Sequence, residues 1–355
     1  MTDRSSDPPC SPGEMEIGGF FELALPDFGE PFPSHFLKFQ SARSALRSAL
    51  ENSRFRRVLL PAYICDSVVQ AVSDAGLVPE FYRLDNRLAP LVPAAISVDT
   101  AMLCVNYFGL CDDVIAQMRD RVSPAQLIVD NTQALFSAPA GAWATIYSPR
   151  KFSGLPDGGL LVSENTAIVM PAEQDNASLA RMEHLLVRMA ATAREGYASF
   201  LASGHSLDNT RPLRMSRLTD RLLRSIDMHA MKSQRRSNFE RLAAAFDTTN
   251  TRRWILGTSS VPMCYPLVIG EDVRGIRKAL ADDSDIYIAA YWEEARRRIE
   301  DGGVEHTMLD KCLALPCDQR YTPAVIDRLI ACVRRVLNAG PSRRSSSTIS
   351  PIATQ

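Results

Sequence analysis

At 355 residues and 46% hydrophobic, the chain can bury a large core, and its length predicts two domains. Its 40 Lys and Arg nearly balance 41 Asp and Glu, which removes any global electrostatic case for nucleic acid or an anionic membrane surface. No apolar run reaches the roughly 18 to 20 residues that span a bilayer, and none of the eight cysteines forms a CxxC pair, which disfavours a membrane span, a zinc site and a disulfide framework.

In chain order, residues 1–14 are polar and Pro-rich, without the charged-then-apolar layout of a signal peptide, and are expected to be disordered. These properties together predict a soluble, cytoplasmic protein. A helix is predicted over Ser41–Glu51, with Ala45, Leu46 and Leu50 on one side. Arg57-Val58-Leu59-Leu60 reads as a short buried strand ended by Pro61. Asp66 or Ser67 is placed to cap a helix that stops near Gly76. Strands follow from Phe81-Tyr82, over Ala101–Tyr107, Leu127–Asp130, Trp143–Tyr147 and Gly159–Ser163, with a helix opening at Asp112 and Asp113. Short apolar strands alternating with helices predict an α/β fold with a mostly parallel sheet and helices on both faces. Residues 177–238 read as helical and Arg-rich. A smaller α+β unit follows, with strands over Val261–Ile269 and Asp285–Ala290 and helices over Val273–Ala281 and Thr322–Leu337. The expected division is a large domain over 15–235, a small domain over 236–339 and a disordered tail over 340–355.

Two residues carry the chemistry. Only five lysines occur, and Lys151 alone lies in a Gly/Pro-rich connection between two apolar strands, ahead of Asp157-Gly158-Gly159. Some twenty residues upstream, Leu127-Ile128-Val129 ends in Asp130, with Gln133 one turn later. Both Asp130 and Lys151 fall just beyond strand ends, where open α/β sheets bind ligands. A strand-end carboxylate followed by a lysine on a Gly-rich connection is what a pyridoxal phosphate (PLP) enzyme needs. The lysine amine makes a Schiff base with the aldehyde, and the carboxylate keeps the pyridine nitrogen protonated. The plainer alternatives are a surface lysine, an aspartate that caps the following helix and an exposed helical glutamine.

With these residues in place, the chain resembles the DegT/DnrJ/StrS family of PLP-dependent sugar aminotransferases, over roughly Gly18–Asn338. The landmarks, in family order, are Ser41-Ala42-Arg43-Ser44-Ala45-Leu46, Leu60-Pro61-Ala62-Tyr63, Tyr107-Phe108-Gly109, Asp130-Asn131-Thr132-Gln133, Lys151 with Asp157-Gly158-Gly159, and Arg214-Met215-Ser216. The match is that of a divergent branch. The resemblance implies the fold type I architecture, with a mostly parallel seven-stranded-type sheet and a smaller α+β C-terminal domain. It implies that Lys151 is catalytic, that Asp130 pairs with the pyridinium nitrogen and that Gln133 lies near the ring oxygen. It places Arg43 and Ser44 at the phosphate, on the first turn of a helix whose N–H groups cradle it.

The departures from the family pattern are specific. Ala42-Arg43 replaces the usual Gly-Thr, so Arg43 is either a direct phosphate partner or a surface arginine. The usual ring-stacking aromatic is Cys65 here, which leaves stacking to Tyr63 or to a thinner contact. The family serine five residues before the lysine is Ile146, with Ser148 as a substitute phosphate ligand. The asparagine that the family takes from the neighbouring subunit falls at Pro212, with Arg211 or Arg214 as stand-ins. The implied reaction moves an amino group, usually from glutamate, to a nucleotide-linked keto-sugar, in a homodimer with its active site between subunits. Two alternatives stay open: another PLP reaction on a non-sugar ketone, and a PLP-binding regulatory protein without turnover.

Overall fold

The computed structural model describes residues 18–92, 95–163 and 168–339. The two terminal segments expected to be disordered, 1–14 and 340–355, lie outside the described residues. Strand β1 (Leu37–Phe39) leads into α1 (Ala42–Glu51), whose N-cap is Ser41. The Ser41 hydroxyl accepts the Ser44 N–H at 3.2 Å, satisfying a donor that the first helical turn leaves unpaired. The buried Ala45, Leu46, Ala49 and Leu50 form the apolar face of α1, which packs against β1, β7 and β8 as these are defined below.

The chain continues through β2 (Arg57–Pro61), α2 (Asp66–Asp74), β3 (Val78–Leu84), the short β4 (Pro90–Leu91), β5 (Thr100–Val105) and α3 (Asp112–Arg121). Then come β6 (Leu127–Asn131), β7 (Ala144–Tyr147) and β8 (Gly159–Ser163). These form one eight-stranded sheet in the order β1-β8-β7-β6-β5-β2-β3-β4. The run from β7 through β6, β5 and β2 to β3 is parallel, while β8 and β4 return antiparallel and β1 pairs antiparallel with β8. Six of the eight strands were read from sequence; the other two, Leu37–Phe39 and Pro90–Leu91, are strands only through pairing. Three and two residues are too short to leave an alternating pattern in sequence. Every residue of β5 and β6 is buried, as parallel strands covered on both faces require.

Five helices follow: α4 (Ser178–Arg181), α5 (Glu183–Ala190), α6 (Tyr197–His205), α7 (Arg217–Arg224) and α8 (Met228–Phe246). The rest of the described chain holds β9 (Cys264–Val268), α9 (Arg274–Ser284), α10 (Val304–Asp310), β10 (Cys312–Pro316) and α11 (Pro323–Asn338). Position 235 lies inside α8, so one helix runs through the boundary read from sequence.

The strand expected over 285–290 does not form. Asp285 ends α9 with φ 53°, in the left-handed region that breaks extended backbone, and the segment makes only isolated bridges at its end, Ala289 with Ala314 among them. The partner of β9 is instead β10, antiparallel. Neither Asp66 nor Ser67 caps α2; Cys65 occupies that position, and Asp66 pairs with Arg297 and Arg298. No described helix is long and apolar enough to cross a membrane. Among the described residues, no group of His, Cys, Asp and Glu could hold a metal ion.

Candidate active site

Asp130 stands near the carboxyl end of β6, in register with Val105 on one side and Ile146 on the other, and is 2% exposed. β7 then delivers the chain to a single tight turn, Pro149–Lys151, in which proline fixes the first residue and Lys151 is the last. Two neighbouring parallel strands thus present a carboxylate and an amine at the same edge of the sheet.

Thr132 joins them. Its N–H donates to Asp130 Oδ1 at 2.8 Å, and its hydroxyl accepts from Lys151 Nζ at 3.2 Å. Burial raises the Asp130 carboxyl above its ordinary range, opposed by the charge of Lys151 and by the Thr132 hydrogen bonds. Burial lowers Lys151, against the pull of Cys65 and Asp130, while Arg150 and Arg43 lower it further. The site therefore favours a neutral amine, which is the nucleophilic and proton-accepting form.

Lys151 opens into a recess of about 50 Å³, lined among others by Arg43, Cys65, Ile146, Ser148 and Arg150. Four of the site residues read from sequence thus share one cavity: Arg43, Cys65, Ser148 and Lys151. Arg43 also forms an ion pair with Asp208 at 2.9 Å. Cys65 lies 3.0 Å from the Ser67 hydroxyl. Ser44 is fully buried one turn into α1, with its hydroxyl 3.2 Å from the Arg211 carbonyl, and does not line the recess.

Tyr63 is also absent from the lining. Its ring lies in an aromatic cluster, 5.7 Å from Tyr107 and 4.9 Å from Trp292, so the residue of its pair that faces the recess is Cys65. Gln133 is fully buried rather than exposed on a helix: its Oε1 accepts the Phe108 N–H at 2.8 Å, while its Nε2 is buried without a partner. Arg211 pairs with Glu173 at 2.5 Å and Arg214 donates to the Ala172 carbonyl at 3.0 Å; neither lines the recess.

Two residues at this site escaped the sequence reading. Thr132 lay inside a quoted run without a role, although a threonine two positions after a strand-end aspartate is placed to bridge it. Arg150 directly precedes the lysine in a chain that carries 40 Lys and Arg, so its type gave no signal.

The Asp157-Gly158-Gly159 run holds the recess in shape. Asp157 is buried and accepts from Thr219 Oγ1 at 2.5 Å, from Arg181 at 3.1 Å and from Ser178, tying the loop to α4 and α7. Gly158 has φ 121°, and a Cβ on Gly159 would sit 2.1 Å from the Ser41 carbonyl carbon. The N-terminus of α1 therefore rests directly on backbone. Gly159→Ala is expected to destabilise the fold by about 3 kcal/mol. Gly154→Ala, whose new carbon would meet only Leu185 at 3.7 Å, is expected to be nearly neutral. Urea unfolding midpoints of the two variants provide the comparison.

No family model matches the sequence, and no curated protein matches it. Solved structures do. A DegT DnrJ EryC1 StrS aminotransferase from Brucella abortus matches at 16% identity over 84% of this chain and 85% of its own, with a TM-score of 0.58. NtdA from Bacillus subtilis, solved with bound cofactor PMP, matches at 16% identity over 85% of this chain and 73% of its own, with a TM-score of 0.59. A sugar aminotransferase from Micromonospora echinospora matches at 15% identity over 85% and 87%, with a TM-score of 0.52. This chain has their fold. The large mostly parallel sheet with a small C-terminal sheet is the fold type I architecture expected from the sequence.

Proposed function

We propose that this chain is a PLP-dependent aminotransferase, a divergent member of the DegT/DnrJ/StrS family that transfers an amino group to a keto-sugar. The observation that carries the reading is the Thr132 clip: one residue hydrogen-bonds both Asp130 and Lys151 and so holds the acid and the amine close together. The likeness to solved aminotransferases supports it.

The residues fit the cofactor. Gln133 Nε2 is a buried donor with no acceptor, which suits the oxygen on the pyridine ring. Asp130, whose burial disfavours its lone negative charge, gains a cationic partner in a protonated ring nitrogen. The capped start of α1, with Arg43 and Ser148 beside it, suits a phosphate. Bound pyridoxal phosphate supplies an aldehyde for covalent attachment and a ring that withdraws electrons from the reacting carbon.

In this reading Lys151 Nζ would attach the cofactor and, as a freed amine, would serve as the general acid and base. Thr132 keeps the freed amine from swinging away. Asp130, buried at the end of β6, would hold a proton on the ring nitrogen. Glutamate is the proposed donor, a nucleotide-linked keto-sugar the proposed acceptor, and a homodimer with the site between subunits the proposed assembly.

The test is direct. Protein loaded with PLP is expected to show a visible absorption band that glutamate bleaches with release of 2-oxoglutarate and that a nucleotide keto-sugar then restores. A band restored only by non-sugar ketones would move the acceptor class, and a band that no donor bleaches would leave a binding protein without turnover.

A further inference from the structure

Arg150 makes no hydrogen bond or ion pair with any described residue. It lines the Lys151 recess, where the charges of Arg43 and Arg181 oppose its own and those of Asp157 and Asp208 favour it without forming an ion pair. Burial first, then these cations, push its guanidinium down to about 10. A guanidinium carries five N–H donors and no acceptor, and those of Arg150 are not sealed in the core, so they are free to meet a ligand that enters the recess.

The surroundings define the missing group. Around Arg150 stand the Arg43 guanidinium, the Ser148 and Ser41 side chains and the first turn of α1. All of these are donors or positive ends of dipoles. The apolar residues of the lining, Ile146, Val68 and Leu207, offer no side-chain acceptor. A larger basic cleft of about 440 Å³ lies beside Lys38, but most of its cations are already matched. There Lys38 pairs with Glu30 and Asp220, Arg224 pairs with Asp27, and Arg221 donates to the Leu25 carbonyl. The Lys151 recess, in contrast, holds an unmatched fork.

We propose that Arg150 is the receptor for an oxyanion, a phosphate or carboxylate carried by the molecule that bonds to Lys151. The inference rests on the PLP reading for the identity of that molecule, though not for the anion site itself. Two sources share the chemistry: the phosphate of the cofactor and a carboxylate of the amino donor. The planar fork matches two oxygens of either group, and its place one residue before Lys151 fixes the distance between the anion and the reacting amine.

The experiment uses the full chain and the variants Arg150→Met and Arg150→Lys. Because Arg150 has no protein partner, both are expected to fold with unchanged unfolding midpoints. Calorimetric titration of the apoprotein with inorganic phosphate is expected to show binding in wild type, loss in Arg150→Met and partial return in Arg150→Lys. Equilibrium titrations with PLP and with pyridoxal, which lacks the phosphate, separate the sources. If the phosphate is the partner, Arg150→Met weakens PLP by roughly ten- to a hundredfold and leaves pyridoxal unchanged. If the donor carboxylate is the partner, PLP affinity holds while the KM for glutamate rises by a similar factor. Unchanged phosphate binding, PLP affinity and glutamate KM in Arg150→Met would overturn the proposal. Failure of wild type to bind either PLP or pyridoxal, with phosphate binding still dependent on Arg150, would instead sink the cofactor reading and leave the anion site standing.

Discussion

Lys151→Ala is expected to abolish covalent capture of PLP and to reduce amino transfer by at least about ten thousandfold, since one amine serves both as the point of attachment and as the proton carrier. Mass spectrometry after borohydride reduction is the readout. Wild type should gain the mass of one reduced cofactor on the peptide containing Lys151, and the variant should gain none. A reduced adduct that persists at another lysine would remove Lys151 from its assigned role. The same variant carries a stability signature. Lys151 is lowered below its ordinary 10.5 by burial, so between its folded and unfolded pKa values the unfolded chain binds more protons. Apoprotein stability should therefore rise with pH through that window and level off above it. In Lys151→Ala that part of the slope should vanish. A wild-type slope equal to the variant's would show that the amine titrates as it does in water.

Asp130→Asn is expected to slow the half-reaction with glutamate by roughly a hundredfold to several thousandfold while leaving the fold intact. The amide oxygen can still accept the Thr132 N–H that Asp130 Oδ1 now holds at 2.8 Å, so that buried donor keeps its partner. What disappears is the negative charge proposed to face the ring nitrogen. Breaking a buried charge pair costs about 3 to 5 kcal/mol, and each 1.4 kcal/mol in the transition state is tenfold in rate. The apoprotein should be no less stable than wild type, because burial already disfavours the Asp130 charge. Single-turnover kinetics and unfolding midpoints, measured side by side, separate the two effects. A normal rate would reduce Asp130 to a partner of the Thr132 backbone.

The elements that position this site were legible because their signals are local. Ser41 before an amphipathic run gives a capped helix, continuous apolar runs give β5 and β6, and Gly158-Gly159 after the lysine gives a turn where backbone crosses backbone. What was illegible depended on partners far along the chain. Pro90–Leu91 becomes a strand only against β3, and Cys312–Pro316, not read as a strand from sequence, becomes one against β9. Nothing within either segment announces its partner.

The same division holds inside the site. Sequence by itself determined that an acid and an amine end neighbouring strands, because strand length and the Pro149 turn fix where each side chain leaves the sheet. It determined the fold class for the same reason, since alternating apolar strands and helices have few ways to pack. Only the tertiary structure decided which side chains face the cavity. Trp292, from the C-terminal part of the chain, and Tyr107 draw the Tyr63 ring away, leaving Cys65 at the recess. The Phe108 N–H pulls Gln133 into the core by one end and leaves the other end free. Arg150 is unmatched because no acid of any described element forms an ion pair with it, a property of the assembled surroundings that no reading of adjacent residues can supply.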